Sequence, residues 1–85
     1  MFYIYALSSI NRNYIYVGMT EDLDARVDRH NQGRVKTTRA YRPFELIYSE
    51  ELDVERTEAR KREKYWKSGV GKEKLRQIRD KNLPK

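Results

Sequence analysis

Met1-Phe2-Tyr3-Ile4-Tyr5-Ala6-Leu7-Ser8-Ser9-Ile10-Asn11-Arg12-Asn13-Tyr14-Ile15-Tyr16-Val17-Gly18 opens the chain and decides its fold. Two aromatic, β-branched runs flank the polar segment Ser8–Asn13, the pattern of a β-hairpin. Side chains alternate along a strand, so Tyr3, Tyr5 and Leu7 share one face and Phe2, Ile4 and Ala6 the other. In the second run Tyr14, Tyr16 and Gly18 lie opposite Ile15 and Val17. Apolar groups on both faces predict a strand pair covered on both sides. Core packing accounts for any one of these tyrosines, since the ring fills space and the hydroxyl finds a partner. Paired strands would also gather several phenols at one edge.

The whole chain has 85 residues, enough for one domain and one modest core. It contains no cysteine, which excludes disulfides and thiolate metal sites. It has no apolar run of membrane-spanning length, and its start lacks the basic flank and cleavage site of a signal peptide. A cytoplasmic protein without a membrane partner, monomeric by default, is the expectation. The net charge of +6 is unevenly placed. Residues 33–43 carry four bases and no acid, residues 44–58 carry six acids against one base, and residues 59–85 carry eleven bases against three acids. A basic loop and a basic C-terminal third suit a phosphate-backbone binder, and equally a solvated helical face.

Downstream of Gly18, Thr20 can cap a helix whose first turn holds Glu21 and Asp22. The helix should run to about Gln32, with Gly33 placed to end it. Leu23, Arg26, Val27 and His30 form one stripe at helical spacing, so Arg26 and His30 belong on or beside the inner face. Singly, Arg26 could pair with Asp22 and His30 could pack as a capped imidazole. Together they suit a site edge facing an anion. In the loop, Arg34, Lys36, Arg39 and Arg42 alternate with Thr37, Thr38 and Tyr41, a mixture suited to phosphates and an unpaired base. Phe44–Leu52 reads as a third strand with Phe44, Leu46 and Tyr48 on one face and Ile47 opposite. The acids at 50–53 read as surface charge and strand-edge protection. Asp53 would cap a helix from Val54 to about Ser68. Gly69-Val70-Gly71 would break the chain before a last basic helix, Lys72 to Lys81, loosely docked through Leu75 and Ile78. Pro84 belongs to a frayed end.

The helix beginning near Val54 contains an anomaly. Ala59, Glu63 and Trp66 share the face that should meet the sheet, so Glu63 is a carboxylate among apolar neighbours. Burying it is costly without a partner. A salt bridge to Arg26 or another base, and a metal ion, are both open readings.

These residues resemble the GIY-YIG nuclease family. Tyr3-Ile4-Tyr5 and Tyr16-Val17-Gly18 match its paired motif, with Tyr3 in place of the first glycine. The resemblance continues through Thr20-x-Asp22-Leu23-x-x-Arg26-x-x-x-His30-Asn31, Tyr41-Arg42-Pro43, Leu46-x-Tyr48-x-Glu50 and Glu58-Ala59-x-x-x-Glu63. It covers about residues 2–68, a nuclease-like region of a single domain that also includes the basic helix and tail at 69–85. The chain looks like the small stand-alone bacterial branch, often labelled UvrC-like. The resemblance implies an α+β fold, a small three-stranded antiparallel or mixed sheet flanked by helices, in the order β-β-α-β-α-α. It implies a DNA endonuclease using one divalent ion, Mg²⁺ or Mn²⁺, possible roles in repair or recombination included. Carried over, Tyr5 and Tyr16 are the motif tyrosines, Arg26 the site arginine, His30 the accompanying histidine and Glu63 the metal ligand. Gly18 lets the backbone approach the site, and Arg34, Lys36, Arg39 and Arg42 contact nucleic acid. Either Tyr5 or Tyr16 could orient the attacking water. Two positions depart from the family: Met19 stands where the repair branch has a lysine, and Asn82 falls too late for the family's asparagine. A binding module on the same fold, weak or inactive as a catalyst, is the alternative reading, and a basic protein-interaction adaptor is a third.

Overall fold

The computed structural model describes residues 1–81, so Asn82 and Pro84 lie outside the described residues. The hairpin forms as its pattern dictates. Strand β1 (Phe2–Ser9) pairs antiparallel with β2 (Ile15–Thr20), placing Tyr5 opposite Gly18 and Leu7 opposite Tyr16. Helix α1 (Leu23–Asn31) then leads to a loop holding a short 3₁₀ turn, Arg39–Tyr41. Strand β3 (Phe44–Leu52) returns antiparallel along the other edge of β1. Helices α2 (Arg56–Lys67) and α3 (Gly69–Lys81) complete the order β-β-α-β-α-α. The sheet is three-stranded in the order β2-β1-β3 and wholly antiparallel.

Central strand β1 is covered on both faces. On one, Tyr5, Leu7 and Phe44 pack with Tyr14, Tyr16, Leu23, Val27 and Tyr41, beneath α1 and the loop. On the other, Ile4, Ala6, Ile15 and Val17 pack against Trp66 of α2 and Leu75 of α3. The faces predicted for both hairpin strands are those observed.

Several local expectations change. Thr20 ends β2 and does not cap α1. Asp22 does, its carboxylate accepting from the Ala25 amide at 3.2 Å. Gly33 ends the following turn at φ +77°, a conformation that suits glycine. Helix α2 starts at Arg56 behind Glu55, which makes no side-chain cap, so Asp53 is not the cap. Strand β3 carries a register shift: Ala6 faces Tyr48 while Leu7 faces Leu46. Ile47 is therefore an extra residue, and this bulge moves Tyr48 to the α2–α3 face, away from Phe44 and Leu46. The predicted common face of those three residues is thereby overturned.

The two glycines after α2 do not break the chain. Ser68 alone turns it, with extended backbone at φ −72°, ψ 168°. Its hydroxyl donates to Tyr65 O at 2.5 Å and accepts from the Gly71 amide at 3.3 Å, ending one helix and starting the next. Gly71 lies inside α3 against the backbone of Tyr65 and Trp66, where any Cβ would collide. Close helix contact, a wholly buried Leu75 and a Lys72 ammonium donating to the Ile15 carbonyl dock α3 firmly. The loose docking expected from its few apolar residues is corrected.

Candidate active site

Tyr5 is the centre of the α1 face. Its ring is wholly buried, and its hydroxyl reaches His30 Nε2 at 2.9 Å. The sequence makes this contact possible through its partner across the hairpin. A Cβ on Gly18 would lie 2.5 Å from the Tyr5 hydroxyl, so only glycine leaves that oxygen its place. His30 is also fully buried, and its Nδ1 lies 2.8 Å from the Thr38 hydroxyl. Thr38 donates its own proton to Val35 O, 3.4 Å away. The network assigns the proton direction: Thr38 accepts from Nδ1–H, and Nε2 accepts from Tyr5. Tyr5 thus faces an imidazole lone pair.

Burial above all keeps these groups neutral at rest. Burial pushes the Tyr5 phenol up to about 12, although the Arg26 guanidinium beside it pulls the other way; Tyr16 and Glu63 add smaller upward pushes. Burial lowers His30 to about 4, and the Arg26 and Arg29 charges press in the same direction. Arg26 stands one turn before His30 on α1. Its Nε is buried and has no hydrogen-bond partner among the described residues. A buried donor in this state favours an incoming acceptor. Tyr16 is only half-buried, with its ring centroid 4.9 Å from His30 and 6.2 Å from Tyr5.

Glu63 lies on the inner face of α2, only 6% exposed. Its carboxylate pairs with Arg60 at 2.9 Å and Lys67 at 3.2 Å, both about half exposed, and not with Arg26. Among the described residues no group of three or more His, Asp or Glu side chains could hold a metal. One buried carboxylate still fits a Mg²⁺-type ion, which commonly binds through one or two carboxylates while water and substrate phosphate fill the other positions. Such an ion would have to displace Arg60 and Lys67. Met19 packs on the α2–α3 face, opposite the Tyr5 side of the sheet.

All four loop cations, Arg34, Lys36, Arg39 and Arg42, are exposed. Arg42 folds back over Gly33 and donates to Arg39 O at 3.1 Å, tying the loop together. Three residues outside the predicted site organise it. Thr38 orients His30. Asn31 clamps the end of α1 to β3 by pairing with both the amide and the carbonyl of Phe44, at 2.6 and 3.3 Å. Glu50, read from sequence as edge charge, takes two bonds of 2.8 Å from Arg62, one of 2.8 Å from Trp66 Nε1 and one of 2.7 Å from Tyr48. The Arg62 bonds above all hold it down to about 2. The sequence signal for Glu50 was its place in the Tyr48-x-Glu50 pattern.

Comparison with known proteins agrees with this architecture. A family model described as the GIY-YIG catalytic domain matches residues 1–76. UPF0213 proteins of Staphylococcus aureus strains Mu50 and N315 are each 39% identical over 67 residues, covering 78% of this chain and 80% of theirs. The solution NMR structure of a UPF0213 protein from Bacillus halodurans superposes with a TM-score of 0.54 at 32% identity, over 92% of this chain and 85% of that one.

Proposed function

The chain belongs to the GIY-YIG nuclease family, and from that premise we propose that it is a divalent-metal-dependent DNA endonuclease whose reaction centres on Tyr5. The observation that carries this reading is convergence. The Tyr5 hydroxyl meets the buried His30 imidazole at 2.9 Å and lies beside Arg26, whose buried Nε–H has no partner among the described residues.

In hydrolysis, a water oxygen forms a bond to phosphorus while the bond to the leaving oxygen breaks. Tyr5 accepts the water's proton as its own passes to His30 Nε2, so no free phenolate is formed. Thr38 holds the imidazole in the receiving orientation. The substrate's negative charge opposes the Arg26 and Arg29 fields that depress His30, making it a better proton acceptor when substrate is bound. Arg26 neutralises a non-bridging oxygen. A divalent ion on Glu63 would add Lewis-acid stabilisation of the charge on phosphorus and the leaving oxygen. Tyr16, half-exposed beside His30, positions the water or the substrate.

Nicking of supercoiled plasmid and of a branched oligonucleotide, with Mg²⁺ or Mn²⁺ and with chelator, tests this. Tyr5→Phe should lower the rate by about 10²–10⁴-fold. Glu63→Ala should abolish metal-dependent nicking while changing stability by less than about 1 kcal/mol, because the released Arg60 and Lys67 are already hydrated. Equal nicking by both variants and the wild type would remove the assignment.

A second reading has its own support. Glu63 pairs with Arg60 and Lys67, an arrangement that serves a non-catalytic nucleic-acid-binding module equally well. Salt-sensitive DNA binding with no cleavage under any metal would select it.

A further inference from the structure

Beside the free edge of β2, on the α3 side, lies a cleft of about 320 Å³ lined by Asn13, Tyr14, Ile15, Lys72, Arg76 and Arg79. No acid lines it. Lys72, Arg76 and Arg79 fall at helical spacing on one stripe of α3. Arg76 and Arg79 each have an exposed α3 carboxylate as ion-pair partner, Glu73 at 2.9 Å and Asp80 at 3.0 Å, and Arg79 also donates to Asn13 Oδ1 at 2.8 Å. Lys72 spends one of its three N–H donors on the Ile15 carbonyl, leaving two. Its ammonium is destabilised first by burial and then by the charges of Lys67 and Arg76. Lys72 has no carboxylate partner among the described residues, and an anion in the cleft would relieve the repulsion between it and Arg76.

Tyr14 lines the cleft and lies two residues before Tyr16, immediately ahead of β2. Tyr14 also stacks on Tyr41 at 4.0 Å, with the Arg12 guanidinium 5.5 Å from the Tyr41 ring. The other side of the hairpin turn contains Glu45 and Asp80 and is less hospitable to phosphate.

We propose that this cleft binds the phosphate backbone of the nucleic-acid substrate beside the β2 edge. That the bound strand is a substrate rests on the nuclease reading; the binding does not. The α3 helix thereby extends the substrate contact around the β2 edge.

The test is fluorescence anisotropy of the full chain with a labelled single strand and a labelled duplex, in chelator, across a salt series. The proteins are wild type, Arg76→Gln, Arg76→Glu, Lys72→Gln and, as a control elsewhere on the surface, Lys61→Gln. Arg76 is exposed at 44% of its side chain, so its variants fold even if breaking the Lys72 bond to β2 prevents folding. Each cleft cation removed should weaken binding several-fold and reduce the salt slope by about 0.7 on the single strand and about 0.9 on the duplex. Lys61→Gln should leave the slope unchanged. An unchanged slope in Arg76→Glu, or an equal loss in Lys61→Gln, overturns the cleft while leaving the nuclease intact. A wild type that neither binds nor cuts overturns both.

Discussion

At the scale of single residues, the decisive contacts are polar and buried. The stripe that put Arg26 and His30 inward, and the periodicity that put Glu63 against the sheet, were legible because helical spacing is local. Thr38 was not, since its burial depends on how an irregular loop folds over His30. The proton direction through that loop is directly measurable. Imidazole ¹⁵N shifts should show His30 protonated at Nδ1 and bare at Nε2; the reverse would make Tyr5 an acceptor and dismantle the proposed transfer to His30. The same buried pair makes stability pH-dependent. His30 falls from an ordinary 6.5 to about 4. As pH drops through that window the unfolded chain takes up a proton that the folded chain refuses, so stability falls, by at most about 3 kcal/mol. Glu50 stays ionised down to about 2 against an ordinary 4.5, and it withdraws its own stabilisation as pH falls between those values. Melting temperatures from pH 7 to 3 should therefore decline in two stages. His30→Gln should flatten the first, and Glu50→Gln the second. A wild-type melting temperature constant between pH 6.5 and 4 would contradict the His30 account.

At the scale of elements, the hairpin, the third strand and the helix order were readable because alternation and 3.6-residue periodicity survive in short windows. The misreadings arose where one element meets another. The Ile47 bulge is imposed by pairing with β1, and no alternation within β3 announces it. Gly69-Val70-Gly71 looked like a break because glycine is a poor helix former in isolation, yet Gly71 is the point at which α3 crosses the backbone of α2. Substitutions at the two glycines should consequently have opposite signs. At Gly71 an added Cβ meets Tyr65 O and Trp66 Cα, and Gly71→Ala should cost at least about 2 kcal/mol through forced separation of the helices. At Gly69 nothing lies within 4 Å of an added Cβ, and Gly69→Ala should add about 0.4–1 kcal/mol by reducing the freedom of the unfolded chain. Urea denaturation decides; equal effects would mean that α3 does not depend on close contact at Gly71.

At the scale of the whole molecule, charge distribution carries information that no single contact does. Among the described residues no helix is long and apolar enough to cross a membrane, and the uncompensated charge of the loop at 33–43 is presented by exposed Arg34, Lys36 and Arg39. Arg42 is exposed as well, but one of its N–H groups also ties the loop by donating to Arg39 O. Replacing Arg34, Lys36 and Arg39 together by Gln should reduce the salt slope of duplex binding by up to about 2.7, at ~0.9 for each phosphate no longer neutralised. Adding Arg42→Gln should lower stability as well as the slope, because this exposed guanidinium also ties the loop. The loop cations and the α3 cleft flank the hairpin, so they would grip backbone on either side of the site, and neither relies on base edges. A domain this small contacts DNA over roughly 600–1,000 Å², most of it through phosphate. Binding should accordingly vary little among scrambled sequences of one length and structure, while varying strongly with salt. A competition experiment in which one sequence outcompetes its scrambles by more than about tenfold, an advantage of ~1.4 kcal/mol, would show that side chains here read bases and that the charge pattern is not the main determinant of substrate choice.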